Sequence, residues 1–131
     1  MIDHVTLLVS DYEKSKAFYL AALAPLGFEL CMELRRSDLP MLPCEATCGI
    51  GVRGKPELWL RPADGPVVPT HIAFRADDRG TVDAFHAAAL SVGGVDHGAP
   101  GLRPHYHPGY YGAFVLDPDG YNVEAVCHTP G

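Results

Sequence analysis

The stretch "HVTLLVSD" at residues 4–11 returns as "HIAFRADD" at residues 71–78, and this pair decides how the chain is read. Each copy opens on a histidine, alternates side chains in the manner of a half-buried strand, and closes on an aspartate. Sliding the chain against itself by 67 positions aligns residues 4–27 with 71–94 without a gap. Identities fall at His4/His71, Asp11/Asp78, Ala17/Ala84, Phe18/Phe85, Ala21/Ala88, Ala22/Ala89, Leu23/Leu90 and Gly27/Gly94, eight in 24 positions. Composition alone gives about two. The same offset relates Glu57 to Glu124. Such a repeat implies two units, neither of which buries its apolar face alone.

Working outward, residues 3–9 predict a strand, and "SDYE" predicts a capping box with Ser10 as N-cap and Glu13 three residues on. The helix runs to about Ala24 and is stopped by Pro25 and Gly27. "FELCMEL" (28–34), "ATCGIGV" (46–52) and "ELWL" (57–60) read as strands, separated by a Pro-rich loop and the turn "RGKP". In the second unit a strand at 70–76 leads to a helix over 79–92. A long loop, "HGAPGLRPHYHPGY" (97–110), then stands where the first unit has a strand. Strands follow in "YYGAFVLD" and "YNVEAVCH", joined by the turn "DPDG". The expected fold is α+β: two pseudo-symmetric βαβββ modules, about 1–65 and 66–131, in one domain. Together they form a cup-shaped curved sheet with helices on the outer face.

At 131 residues and 47% hydrophobic content the chain is long enough to bury a core. No run approaches the length of a membrane span, and acidic residues arrive too early in "MIDHVTLLVSDYEK" for a signal peptide, so a cytoplasmic protein is expected. A net charge of −6 with no basic patch excludes a nucleic-acid backbone as partner. Cys31, Cys44, Cys48 and Cys127 form no CxxC pair and read as reduced thiols.

Strand alternation sorts the polar residues by face. Ile72, Phe74 and Ala76 form the side that meets a helix, so His71 points the other way, as His4 does relative to Val5, Leu7 and Val9. Glu57 and Trp59 lie opposite Leu58 and Leu60, and Glu124 lies opposite Val123, Ala125 and Cys127. Two imidazoles and two carboxylates on the face away from the helices suit one divalent ion, nickel, zinc, cobalt, manganese or iron. A metal also offsets the cost of inward-facing glutamates. A lone histidine or an edge glutamate is usually just solvated; the shared offset of both pairs favours the metal reading. Unpaired sheet edges predict a homodimer.

With these residues in hand, "IDHVTLLVSDYEKSKAFYLAALAPLGF", "THIAFRADDRGTVDAFHAAALSVGG" and "FVLDPDGYNVEAV" resemble the vicinal oxygen chelate superfamily. That group includes glyoxalase I, bleomycin- and fosfomycin-resistance proteins and extradiol dioxygenases. The resemblance implies paired βαβββ modules, often completed by a homodimer, with metal ligands at His4, Glu57, His71 and Glu124 that come either from one chain or from two across the interface.

The resemblance implies three candidate functions. The first is a glyoxalase-like lyase or isomerase acting on a small substrate with vicinal oxygens through an enediolate-type intermediate, with Glu124 or Glu57 moving the proton. The second is an iron dioxygenase of the extradiol type, using His4, His71 and Glu124 alone. The third is a resistance-type protein that binds a small molecule without turnover. Substrate contacts are expected from Trp59, from Arg75, and from Arg103, His105, His107 and Tyr111 in the aromatic stretch "GLRPHYHPGYYGAF" (101–114), which serves equally well as a dimer contact.

Overall fold

The computed structural model describes residues 1–130. The opening alternation builds β1 (Val5–Val9), where Leu7 and Val9 are buried and Thr6 and Leu8 are exposed. Helix α1 (Tyr12–Ala22) follows, and its N-cap is Asp11 rather than the expected Ser10. The Asp11 carboxylate accepts from the Lys14 amide at 3.2 Å, and Asp78 accepts from the Thr81 amide at 2.7 Å to open α2 (Arg79–Ser91). A short carboxylate reaches the free amide three residues on, so the repeated aspartates mark both helix starts. The repeated glycines serve different needs. Gly27 takes a left-handed conformation (φ +86°) that ends the 3-10 turn Ala24–Leu26, whereas a Cβ at Gly94 would lie 2.7 Å from the Ala89 carbonyl oxygen.

The first module adds β2 (Phe28–Arg35), β3 (Ala46–Val52) and β4 (Lys55–Pro62) in the order β1-β4-β3-β2, with β1 parallel to β4. The second repeats this with β5 (His71–Arg75), β6 (Val95–Leu102), β7 (Tyr111–Leu116) and β8 (Asn122–Cys127) in the order β5-β8-β7-β6, with β5 parallel to β8. The α+β class and the doubled βαβββ order are as expected. Residues 97–102, read as loop, belong instead to β6. Its pairing with β7 shifts register between Asp96 and Gly98 and again between Gly98 and Gly101. Those irregularities let a strand carry Gly98, Pro100 and Gly101.

One cluster of buried side chains runs through both modules, with Leu7, Phe18, Leu58 and Leu60 from the first and Phe85, Val115 and Val123 from the second. Each such Leu, Phe or Val contributes about 1.5–3 kcal/mol by leaving water. The strands form two four-stranded sheets, with no pairing between the sheets among the described residues. The shared core joins them, together with three polar ties. Tyr19 donates to Asp117 (2.5 Å), Tyr121 donates to the Leu8 carbonyl (2.8 Å), and the Ser10 amide donates to Asp119 (3.1 Å).

Asp117 carries a pH dependence. Burial raises its carboxyl above the usual range, against the pull of hydrogen bonds from Tyr19 and from the Tyr121 and Asp119 amides. The folded chain therefore holds this proton more tightly than the unfolded chain. Its contribution to stability is fully present below the unfolded value of about 3.9 and is lost as pH rises through the folded value. Thermal denaturation of Asp117→Asn, followed upward from about pH 4, should lack the part of the slope that this group adds. An identical slope in both proteins contradicts the assignment.

Candidate metal and substrate site

The strand registers settle which side chains share a face. His71 is opposite Asn122, Ala73 opposite Glu124, and Glu124 opposite Phe114, so His71, Asn122, Glu124 and Phe114 lie on the face that α2 does not cover. His71 Nδ1 donates to the Asn122 carbonyl oxygen (2.9 Å), which leaves Nε2 facing Glu124 Oε1 at 3.0 Å. Glu124 is only 2% exposed, and its other oxygen accepts from the Tyr110 hydroxyl. Burial, together with the hydrogen bond to that carboxylate, pushes the Tyr110 hydroxyl well above its ordinary range. Gly112 gives Glu124 room, since a Cβ there would stand 3.1 Å from Oε2.

This arrangement fits a cation. With Nδ1 protonated, a neutral His71 turns a lone pair toward a carboxylate oxygen, and two acceptors at 3.0 Å need a proton or a metal between them. Two donors each bonded at about 2.0–2.2 Å to one ion stand roughly 3.0 Å apart at a right angle and roughly 3.4 Å apart at the tetrahedral angle, so the observed spacing matches the six-coordinate case. The carbonyl behind Nδ1 is the usual support of a ligating imidazole.

The first module carries His4 and Glu57 at the repeat-related positions, without the direct contact that joins His71 to Glu124. His4 Nδ1 donates to Asp3 Oδ1 (2.8 Å), leaving its Nε2 free. His4 and Lys55 together hold the Asp3 carboxyl below its usual value. Glu57 is exposed and makes no hydrogen bond among the described residues. His4, Glu57, His71 and Arg75 line one cleft of about 690 Å³ that runs beside β1 and β5, each the edge strand of its sheet. Even so, among the described residues no three histidine, cysteine, aspartate or glutamate side chains gather closely enough to hold a metal ion. One chain thus presents two half-sets, His4 with Glu57 and His71 with Glu124.

The other sequence candidates divide. Trp59 lies flat against Gly49, where a Cβ would meet its ring at 3.0 Å, and it borders His4. Arg103 is spent on its own loop, donating to the Ala99 and Gly101 carbonyls with its guanidinium over Phe114. His105 packs on Tyr106, and His107 pairs with His128 at 2.9 Å. Tyr111 does not reach the site. It stands opposite Cys127 on the helix-facing side, donating to Asp83 beneath Arg79. Tyr110, one residue earlier, is the tyrosine that reaches Glu124. Arg61 was missed by the sequence reading although it continues the alternation of Glu57 and Trp59.

The likeness to known proteins agrees with this geometry. The profile of the Glyoxalase/Bleomycin resistance protein/Dioxygenase superfamily matches residues 1–125. No curated protein sequence matches the chain. A glyoxalase/bleomycin resistance protein from Albidiferax ferrireducens T118 superposes with a TM-score of 0.75 at 27% identity, covering 97% of this chain and 98% of that one. A lactoylglutathione lyase from Agrobacterium tumefaciens gives 0.65 at 22% identity, over 97% and 92%. A glyoxylase/bleomycin resistance protein/dioxygenase domain from Frankia sp. EAN1pec gives 0.72 at 17%, over 97% and 96%, and these last two speak for the fold alone. By its profile match, its doubled βαβββ order and its paired histidines and glutamates, the chain belongs to the glyoxalase/bleomycin resistance protein/dioxygenase superfamily.

Proposed function

We propose that the chain is a homodimer whose active site joins His4 and Glu57 of one protomer to His71 and Glu124 of its partner around one divalent ion. The reaction is a lyase or isomerase step on a small substrate with vicinal oxygens. The observation that carries this is the His71 Nε2–Glu124 Oε1 contact, a donor pair shaped for a cation. His71 shares a cleft with His4 and Glu57, yet among the described residues no three such side chains gather closely enough to hold an ion.

A bound divalent ion would supply Lewis-acid stabilisation of the charge that develops on the substrate oxygens. The protein divides the remaining work between its glutamates. Glu124, buried and held at one oxygen by the Tyr110 hydroxyl, keeps a fixed position. Glu57, exposed and unpartnered, has the freedom to take a proton from the carbon beside a carbonyl and return it to the neighbouring carbon. The His4–Asp3 and His71–Asn122 hydrogen bonds hold each imidazole with Nε2 outward.

The test is a screen of the metal-loaded protein against thiol adducts of 2-oxoaldehydes and against catechols. Turnover of an adduct without oxygen uptake supports the proposal. Oxygen uptake with ferrous iron and a catechol overturns it in favour of a dioxygenase, and a protein that recruits no metal overturns it in favour of a binding protein.

A further inference from the structure

Beside His4, on the open face of the first sheet, lies a second and smaller hollow of about 200 Å³. Thr6, Trp59 and Arg61 reach it from β1 and β4, Thr47 from β3, and Leu42, Pro43 and Cys44 close it from the loop after β2. That wall is pinned in place. Arg36 Nε donates to the Leu42 carbonyl (3.2 Å), the Arg36 amide donates to the Glu45 carbonyl (2.8 Å), and the Leu42 amide donates to the Leu39 carbonyl (2.9 Å).

The charge in this hollow is unbalanced. Arg61 is half-buried, and among the described residues its guanidinium has neither an ion pair nor a hydrogen bond. Arg35 is paired with Glu13 and Glu33, and Arg103 is tied to backbone carbonyls. Arg79, also half-buried and without an ion pair among the described residues, lies over the Tyr111 ring, whereas Arg61 opens onto the hollow. No aspartate or glutamate lines the hollow, in a chain with 16 acidic and 10 basic residues. A guanidinium with no carboxylate beside it is free to pair with one that a ligand brings. Its planar fork matches a carboxylate bidentately. The adjoining indole, with Leu42 and Pro43, offers a flat apolar wall.

We infer that Arg61, Trp59 and the 42–44 segment form a subsite for a carboxylate carried on a flat apolar body. This rests on the reading that the open face of the first sheet is half of the substrate site. It narrows the substrate class to organic acids whose carboxylate lies to one side of the reacting oxygens. Arg75, in the larger cleft, is then not the group that reads the acid.

Trp59 is the chain's sole tryptophan, so its fluorescence reports on this hollow directly. Chelated, metal-free protein is titrated with benzoate, benzyl alcohol and benzylamine. Benzoate should give a saturable change. Benzyl alcohol and benzylamine should bind at least about tenfold more weakly, as should benzoate to Arg61→Gln, because each removes one half of a charge-assisted pair. Arg61→Lys should recover part of the loss, since it restores the charge without the fork. Equal affinity for benzoate and benzyl alcohol overturns the inference, as does unchanged benzoate binding in Arg61→Gln. Because the titration is run without metal, failure of the metal reading leaves it unaffected, and failure of the subsite leaves metal stoichiometry unaffected.

Discussion

Replacing His4 and His71 together by alanine should abolish stoichiometric binding of nickel, zinc, cobalt or manganese. The two imidazoles are the only nitrogen donors in the proposed set, and each is oriented by an oxygen behind its Nδ1. Losing a supporting group of this kind typically costs 10–100-fold in metal affinity, by the order of magnitude known for such contacts. Losing two direct ligands should cost far more and leave only two carboxylates. Both side chains are about half exposed, at 52% and 48%, so the truncation leaves the core intact. Titration calorimetry on the purified double variant reads the outcome. Unchanged affinity would mean that the ion, if there is one, sits elsewhere.

The second large effect is expected at Glu57. Removing its carboxylate in Glu57→Ala should lower turnover of a lyase or isomerase substrate by roughly 10²–10⁴, the usual scale for a group that moves a proton in the transition state. Glu57 is exposed and bonds to nothing among the described residues, so the change should leave thermal stability where it was. A dioxygenase working from His4, His71 and Glu124 has no need of Glu57 and would keep its iron and much of its activity. Oxygen consumption with a catechol that survives Glu57→Ala would contradict the assignment of Glu57.

The strand faces of the histidines and glutamates were legible because two signals coincide on them. Strand alternation assigns each to a face, and the repeat places both pairs at one offset. Where one signal stood alone, the sequence misled. "SDYE" pointed to Ser10 as a cap, while the repeated Asp11/Asp78 already marked the residue that serves. Gly98, Pro100 and Gly101 hid β6, because composition does not reveal a strand held by its partner through shifted register. Tyr111 was preferred over Tyr110, although alternation along β7 turns Tyr111 toward α2. Arg61 was available by the same parity that selected Glu57 and Trp59. The separation of the four candidate ligands into two half-sets had no signal at all. Alternation fixes faces within a sheet, while the packing of one module on the other is decided by a core that both share.

That separation is the claim on which the proposed function depends, and mixed dimers test it most directly. One variant carries His4→Ala with Glu57→Gln and the other His71→Ala with Glu124→Gln, so that each is blind in a different half-set. Alone, neither should hold a divalent ion. Unfolded and refolded together, they form mixed dimers in which one of the two sites regains all four ligands, two from each chain. Calorimetry on the isolated mixed dimer should then find about one ion per dimer. If all four ligands came from a single chain, every site in the mixed dimer would stay broken, and no ion would bind.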